Sequence, residues 1–143
     1  MNLILRANKT LILSSLAFLL TFSLSSCSKK LTFVTSTVVP AAEGSAKIKK
    51  DDNKNKVVEV KVIHLTNPSR LQPAKKTYVV WMVTENNGTK NIGQLQSNSG
   101  LFSSTLKGEL TTVTPYNPKK IFITAEDDAA IQFPGTQVVL TTP

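Results

Sequence analysis

The feature that most constrains the fold is a set of short runs in which apolar and polar residues alternate. In residues 56–65, valines at every second position alternate with Glu59 and Lys61. A β-strand has a period of two residues, so this pattern puts the valines on one face and the charges on the other. No stretch of residues 28–143 has a convincing apolar repeat of 3.6 residues, which a helix would show. The sequence therefore predicts an all-β domain.

Turn residues divide the chain into seven or eight predicted strands. These cover residues 31–39, 46–50, 56–65, 77–84, 91–96, 106–114, 120–125 and 137–142. Asn87 and Gly88 favour a type I′ hairpin turn, because both tolerate positive φ. Gly93 marks a bulge or a close contact with Trp81. This number and spacing of strands predicts an antiparallel β-sandwich.

The alternation also predicts the core. Residues 77–84 are apolar on both faces, which is typical of a central strand, and Trp81 is therefore expected to be buried there rather than free to stack on a ligand. The side chains expected inside the sandwich are Val58, Val60, Val62, Val80, Trp81, Ile92, Ile121, Ile123 and Val139.

The N-terminus has the three-part layout of a secretory signal. Arg6 and Lys9 precede an apolar run, residues 11–24, which serine and threonine interrupt. This run is short for a membrane span of about 20 residues, so an uncleaved signal anchor is the less favoured alternative. A small pair, Ser25 and Ser26, then precedes Cys27, the sole cysteine of the sequence.

The segment Leu24-Ser25-Ser26-Cys27 resembles the lipobox of bacterial lipoproteins. The resemblance implies cleavage before Cys27, a thioether-linked diacylglycerol on its sulfur and an acyl chain such as palmitate on its amino group. Ser28, Lys29 and Lys30 follow, with no acidic residue. The resemblance therefore implies a protein tethered to the outer membrane and facing the periplasm.

Cleavage before Cys27 would divide the chain into three parts: a signal peptide (1–26), a lipidated cysteine with a short tether (27–30) and a β-sandwich domain (31–143). The 117 residues that remain suit one domain with its own core. A single cysteine allows no internal disulfide, and acylation would remove an unpaired thiol from an oxidising compartment.

The charge of the remaining chain argues against nucleic-acid binding. Residues 27–143 contain 15 basic and nine acidic residues, a formal charge of +6, but the lysines are spread along the chain in pairs and Arg70 is the only arginine. A nucleic-acid site would need a denser basic patch with arginine or aromatic contacts. Such a charge favours solubility and a loose affinity for anionic envelope lipids.

Few residues can carry chemistry. His64 is the sole histidine, and no Gly-x-Ser-x-Gly motif occurs, so we expect no catalytic triad and no enzyme. We expect His64 at the rim or edge of the core. No cofactor and no small-molecule substrate are indicated.

Two acidic segments are the remaining candidates for a metal site. Glu126, Asp127 and Asp128 form the densest carboxylate cluster and are weak candidates for Ca²⁺, which prefers oxygen ligands in flexible loops. Asp51, Asp52 and Asn53 are a second such candidate, and solvated turns are the alternative for both segments.

Three segments follow one another in the second half of the chain. They are Tyr78-Val79-Val80-Trp81 with Gly93 a short hairpin later, then Ile121-Phe122-Ile123-Thr124-Ala125-Glu126, then Pro134-Gly135-Thr136 leading into Val138-Val139-Leu140. In this order they resemble the extracytoplasmic domain of the anti-sigma-K factor family, over residues 78–142. The resemblance implies a periplasmic β-sandwich.

The sequence also departs from that family. Its members place a cytoplasmic sigma-binding domain and a membrane span before this domain, whereas 26 residues precede Cys27, and Asp127 and Asp128 replace a usual glycine pair. We therefore expect a lipid-anchored, non-catalytic envelope protein that binds a protein partner or senses the periplasm. A structural lipoprotein that supports the integrity of the cell envelope is the alternative.

Overall fold

A computed structural model describes residues 28–99 and 105–143, and these residues form two antiparallel β-sheets. In chain order the strands are β1 (Lys29–Thr32), β2 (Glu43–Lys50), β3 (Lys56–Leu65), β4 (Thr77–Thr84), β5 (Thr89–Gln94), β6 (Gln96–Ser99), β7 (Leu106–Thr114), β8 (Pro118–Glu126) and β9 (Val138–Thr141). A single 3-10 turn, Pro68–Arg70, lies between β3 and β4. The predicted all-β sandwich is confirmed. Within the described ranges, no helix has the length and apolar character that crossing a membrane requires.

The two sheets have different strand orders. Sheet one has five strands in the order β1-β2-β3-β7-β6, and sheet two has four in the order β5-β4-β8-β9. The main core lies between them and is built on alternate residues of the central strands: Val58, Val60 and Val62 of β3, Tyr78, Val80 and Met82 of β4, and Ile121, Ile123 and Ala125 of β8. Among the residues predicted for the core, Ile92 differs, because its side chain is only half-buried and packs against the core cluster from outside.

The alternation of β3 ends at a bulge. The register with β7 shifts between Val62 and Leu65, and His64 has a φ of 58°. An extra residue in one strand reverses the faces of those that follow it. Leu65 is therefore fully buried, while His64, expected at the rim or edge of the core, is exposed.

The first predicted strand, residues 31–39, is wrong beyond Thr32. The Val34 N–H donates to the Thr141 carbonyl at 2.9 Å, so the chain leaves sheet one here and reaches the edge of sheet two. The Ser36 hydroxyl then accepts hydrogen bonds from the backbone N–H groups of Val38 and Val39. Competition from a serine side chain explains why a β-rich sequence does not continue as a strand.

The predicted type I′ turn between β4 and β5 is also wrong. Gly88 has a φ of 70°, whereas Asn87 does not adopt positive φ. The Thr84 hydroxyl accepts from the Asn87 N–H at 2.8 Å and donates to the Gly88 carbonyl at 2.7 Å. This side chain closes a longer loop, residues 85–88, which needs only one residue of positive φ.

Gly93 lies at the predicted bulge. The register between β4 and β5 shifts between Val80 and Trp81, and Gly93 has a φ of 132°. Its close neighbour, however, is Leu110 of sheet one rather than Trp81, since a Cβ on Gly93 would lie 3.2 Å from Leu110 Cδ1. The bulge is confirmed, and the predicted contact with Trp81 is wrong.

Leu95 marks the point where the chain crosses from sheet two to sheet one. It is 2% exposed, and its N–H donates to the Tyr78 carbonyl at 2.9 Å. The next residues form β6, which pairs with β7, although residues 97–99 lie outside the predicted strands. Gly108 of β7 makes room for this crossing, because a Cβ there would lie 2.3 Å from Leu95 Cδ2.

We predict that Gly108→Ala lowers the free energy of unfolding by about 1–3 kcal/mol, because the added methyl overpacks the site of Leu95. Urea unfolding would measure this as a lower midpoint with an unchanged slope. Lys107→Ala, an exposed position on the same strand, is the control and should change stability by about 0.5 kcal/mol or less. Equal midpoints for the two variants would contradict the predicted packing.

Candidate functional site

The loop after β8, residues 127–137, covers the outer face of sheet two. The Asn91 side-chain amide of β5 donates to the carbonyls of Ala129 and Ile131, each at 2.9 Å. At its far end the Gly135 N–H donates to Glu126 Oε1 at 2.7 Å. This covering loop gives sheet two a second buried layer.

Trp81 belongs to this second layer. It is buried as predicted, with no exposed surface, but it lies outside the cluster between the sheets. By register it is opposite Asn91 and Phe122, and its ring stacks on Phe122 with centroids 6.2 Å apart. A strand that is apolar on both faces needs cover on both, and here the covering loop supplies the second.

A chain of hydrogen bonds holds the covering loop. Trp81 Nε1–H donates to Thr124 Oγ1 at 2.7 Å, and the Thr124 hydroxyl donates to Glu126 Oε1 at 2.6 Å. Glu126 is only 3% exposed, and with the Gly135 N–H two donors converge on one carboxylate oxygen. A buried carboxylate is tolerated where such donors satisfy it. Gly135 has no space for a side chain, because a Cβ would lie 2.7 Å from Glu126 Oε2.

The three carboxylates considered for Ca²⁺ therefore serve other contacts. Asp127 Oδ2 pairs with Lys75 Nζ at 2.7 Å, and Asp128 Oδ1 accepts from the Ala130 N–H at 2.9 Å. Asp51, in the other acidic segment, accepts from the Asn55 N–H and so closes the β2–β3 turn. Among residues 28–99 and 105–143, no group of three His, Cys, Asp or Glu side chains could hold a metal ion.

A groove separates the covering loop from β5, the edge strand of sheet two. It has a volume of about 690 Å³, and its walls are residues 89–93 of β5 and Ala129, Ala130, Gln132 and Phe133 of the loop. The Phe133 side chain is 81% exposed at the groove. Aromatic residues are enriched in protein interfaces, so this ring makes the groove a candidate interaction surface.

The β5 edge adds backbone groups to this groove. One side of β5 pairs with β4, and its other side has no strand partner among the described residues. Such an edge presents N–H and C=O groups that an extended chain can pair with. Among the described residues, Lys90 is the one ionisable side chain that lines the groove, and its Nζ lies 5.8 Å from the centroid of the Tyr116 ring.

A second concave site lies at the end of the sandwich where β3 ends and β4 begins, and it has a volume of about 740 Å³. Arg70, Gln72 and Thr136 are among its walls, together with Gln137. Gln137 Nε2 donates to the Gln72 carbonyl at 3.3 Å, whereas the buried Gln137 Oε1 has no hydrogen-bond partner in the described part of the chain. The sequence did not indicate this site, because its residues come from three separate loops.

In the described part of the chain, the side chains with shifted pKa values are Glu59 and Tyr78, and both lie outside the groove. A hydrogen bond from Lys49 Nζ, 2.7 Å from Glu59 Oε1, lowers the pKa of Glu59 on sheet one. Burial raises the pKa of Tyr78 to about 12, and its neutral hydroxyl donates to the Thr66 carbonyl at 2.7 Å. Both shifts therefore reflect structural contacts.

Comparison with protein-family models, curated proteins and solved structures finds no match to this chain. The resemblance to the anti-sigma-K factor family stays a prediction. Cys27 and the rest of the lipobox, Leu24, Ser25 and Ser26, lie outside the described residues, so the predicted lipidation is likewise untested.

We predict that Thr124→Val lowers the free energy of unfolding by about 1–3 kcal/mol, because Trp81 Nε1–H and Glu126 lose a buried partner. Thr124→Ser is the matched control. It keeps the hydroxyl, and loses only a buried methyl at about 0.8 kcal/mol. Urea unfolding followed by Trp81 fluorescence would compare them. A Val variant as stable as the Ser variant would show that the hydroxyl does not hold the covering loop.

Proposed function

We propose that this chain is a lipid-anchored protein of the bacterial cell envelope whose β-sandwich binds an extended segment of a partner protein without catalysing a reaction. The observation that carries the binding role is Phe133, 81% exposed beside the free edge of β5. The sequence Leu24-Ser25-Ser26-Cys27 supports the anchor, and the implied location is the periplasmic side of the outer membrane.

The chemistry of the groove favours a polypeptide partner. An extended segment can pair its backbone with the free edge of β5, as in recognition by strand addition. The Phe133 ring can then bury itself against an apolar side chain of that segment, and burial of one such ring contributes about 1.5–3 kcal/mol. Backbone pairing supplies affinity, and the exposed ring supplies selectivity.

The same lining argues for binding rather than catalysis. General acid–base chemistry needs a donor and an acceptor of protons within reach of the substrate. Of the ionisable side chains in the ranges 28–99 and 105–143, the groove offers Lys90 alone, which lies over the Tyr116 ring. His64 is exposed at the end of β3 and does not line the groove.

We predict that Phe133→Ser reduces the yield of the partner crosslinked in intact cells by about tenfold or more, as expected for an aromatic residue that dominates an interface. Its melting temperature should stay close to that of the wild type, because the ring is exposed. Val113→Ser, at a position 58% exposed on sheet one, is the matched control and should keep the partner. Equal yields for all three proteins would show that the groove does not bind the partner. They would favour the alternative function, a structural lipoprotein.

We predict that Cys27→Ala abolishes both the acylation of residue 27 and the cleavage before it, because no thiol remains to carry the diacylglycerol. The intact mass of the protein would measure both. Ser28→Ala, the neighbouring position, should be processed and anchored normally. A wild-type protein that keeps residues 1–26 and carries no acyl group would instead support an uncleaved signal anchor.

A further inference from the structure

The two ends of the sandwich differ in charge. We define the basic end as the end that contains the start of β1, the β2–β3 turn, the β4–β5 turn and the β7–β8 turn. The register places these segments together: Lys29 is opposite Ile48, Lys50 is opposite Lys56, and Lys56 is opposite Thr114. In sheet two, Thr84 is opposite Pro118.

Nine lysines but only three carboxylate side chains lie in the segments that form the basic end or within three residues of them along the chain. The lysines are Lys29, Lys30, Lys49, Lys50, Lys54, Lys56, Lys90, Lys119 and Lys120, and the carboxylates are Asp51, Asp52 and Glu85. Elsewhere the charges cancel. In the middle of the sheets, Lys47 and Lys61 are balanced by Glu59 and Glu109. At the opposite end of the sandwich, four basic residues are balanced by four acidic ones: Arg70, Lys75, Lys76 and Lys107 against Glu43, Glu126, Asp127 and Asp128. The entire formal charge of +6 is therefore concentrated at the basic end.

Several of these lysines converge on one depression. Lys29, Lys49, Lys50 and Lys56 line a cavity of about 340 Å³, together with Asn117 and Pro118 of the β7–β8 turn. Lys49 is the member of the nine that forms an ion pair in the described part of the chain, with Glu59. Like charges gathered on one surface repel one another, and a surface of this kind is suited to an anionic partner.

The same end carries the attachment of the proposed lipid anchor. Cys27 is two peptide units from Lys29, which spans at most about 7 Å even when fully extended. Lys29 is itself held in β1 by its pairing with β2. At physiological ionic strength charges act over about 8 Å, so an anchor at Cys27 would keep the basic end within electrostatic reach of the lipid headgroups.

We propose that the basic end is a membrane-docking surface that binds anionic lipid headgroups and holds the sandwich upright on the membrane. This inference rests on the proposed anchor at Cys27. Because the acyl chains already supply affinity, the lysines determine orientation. The ten residues of β3 run away from the basic end and span about 33 Å, so the site that Arg70 lines would face away from the membrane.

The experiment uses the full chain, purified from membranes and reconstituted in nanodiscs. One set contains phosphatidylcholine alone, and the other an equal mixture of phosphatidylcholine and phosphatidylglycerol. The acetylation rate of each lysine, read by mass spectrometry, reports its accessibility. Lys29 and Lys30 report on the basic end, while Lys76 and Lys107 report on the far end of the same molecule.

We predict that acetylation of Lys29 and Lys30 is at least about fivefold slower in the anionic discs than in the neutral discs, as expected for lysines near an anionic surface. Lys76 and Lys107 should react equally in both. The difference should vanish near 1 M salt, where the screening length falls to about 3 Å. Equal rates at Lys29 and Lys30 in the two kinds of disc would overturn the inference.

A pair of charge-reversed proteins separates local docking from net charge. Lys50→Glu, Lys54→Glu and Lys119→Glu together should abolish the slowing at Lys29 and Lys30. The matched control replaces Arg70, Lys76 and Lys107 with Glu, makes the same change in net charge, and should keep the slowing. All six side chains are exposed, so both proteins should fold. Loss of the slowing in both would show an effect of total charge and would refute a specific docking end.

The mass of the N-terminal peptide distinguishes the two proposals. Acyl groups on Cys27 together with equal acetylation rates would refute the docking surface and leave the anchor intact. A peptide without acyl groups would refute the anchor, and the docking inference that rests on it, whatever the acetylation rates.

Discussion

The carboxylate of Glu126 is the point on which the outer layer of sheet two depends. It is buried, and it accepts from Thr124 and from the Gly135 backbone, while Thr124 in turn accepts from Trp81. A strand as apolar as β4 could not leave its outer face in water. Through these bonds the covering loop shields Trp81, and the groove beside β5 exists because the loop is held there.

The groove and the basic end differ in chemistry and adjoin at Lys90, which lines the groove and lies at the basic end. Phe133 offers an apolar ring, and β5 offers an edge with no strand partner among the described residues, which together suit another polypeptide. The lysines offer charge with little apolar area, which suits an anionic lipid surface. If the basic end faces the membrane, the groove opens beside the membrane at Lys90, and the site that Arg70 lines lies at the opposite end of the domain.

Local patterns predicted the parts of the fold that depend on local contacts. The alternating valines of β3 and the apolar residues on both faces of β4 are predicted to be buried from the sequence alone, because strand periodicity is a property of neighbouring residues. A bulge reverses the faces at the end of β3, so Leu65 is fully buried and His64 is exposed, and the first strand ends early where the Val34 N–H donates to the Thr141 carbonyl. Glu126 was grouped with Asp127 and Asp128 by proximity in sequence, although a strand end separates their environments. Phe133 lies in an irregular loop, where no period predicts exposure.

The sequence by itself determined the all-β class, most of the core, and the lipobox-like segment that predicts an anchor. The tertiary structure decided how the charges are arranged. In sequence the pairs at Lys29, Lys49, Lys75 and Lys119 are evenly scattered, and they indicated a diffuse charge. Antiparallel pairing brings residues far apart in the chain to the same end of the sandwich, and it gathers three of these pairs at the basic end while it places Lys75 and Lys76 at the other. The register of the strands therefore separates the charges between the two ends, and the residue pattern within one strand does not specify that register.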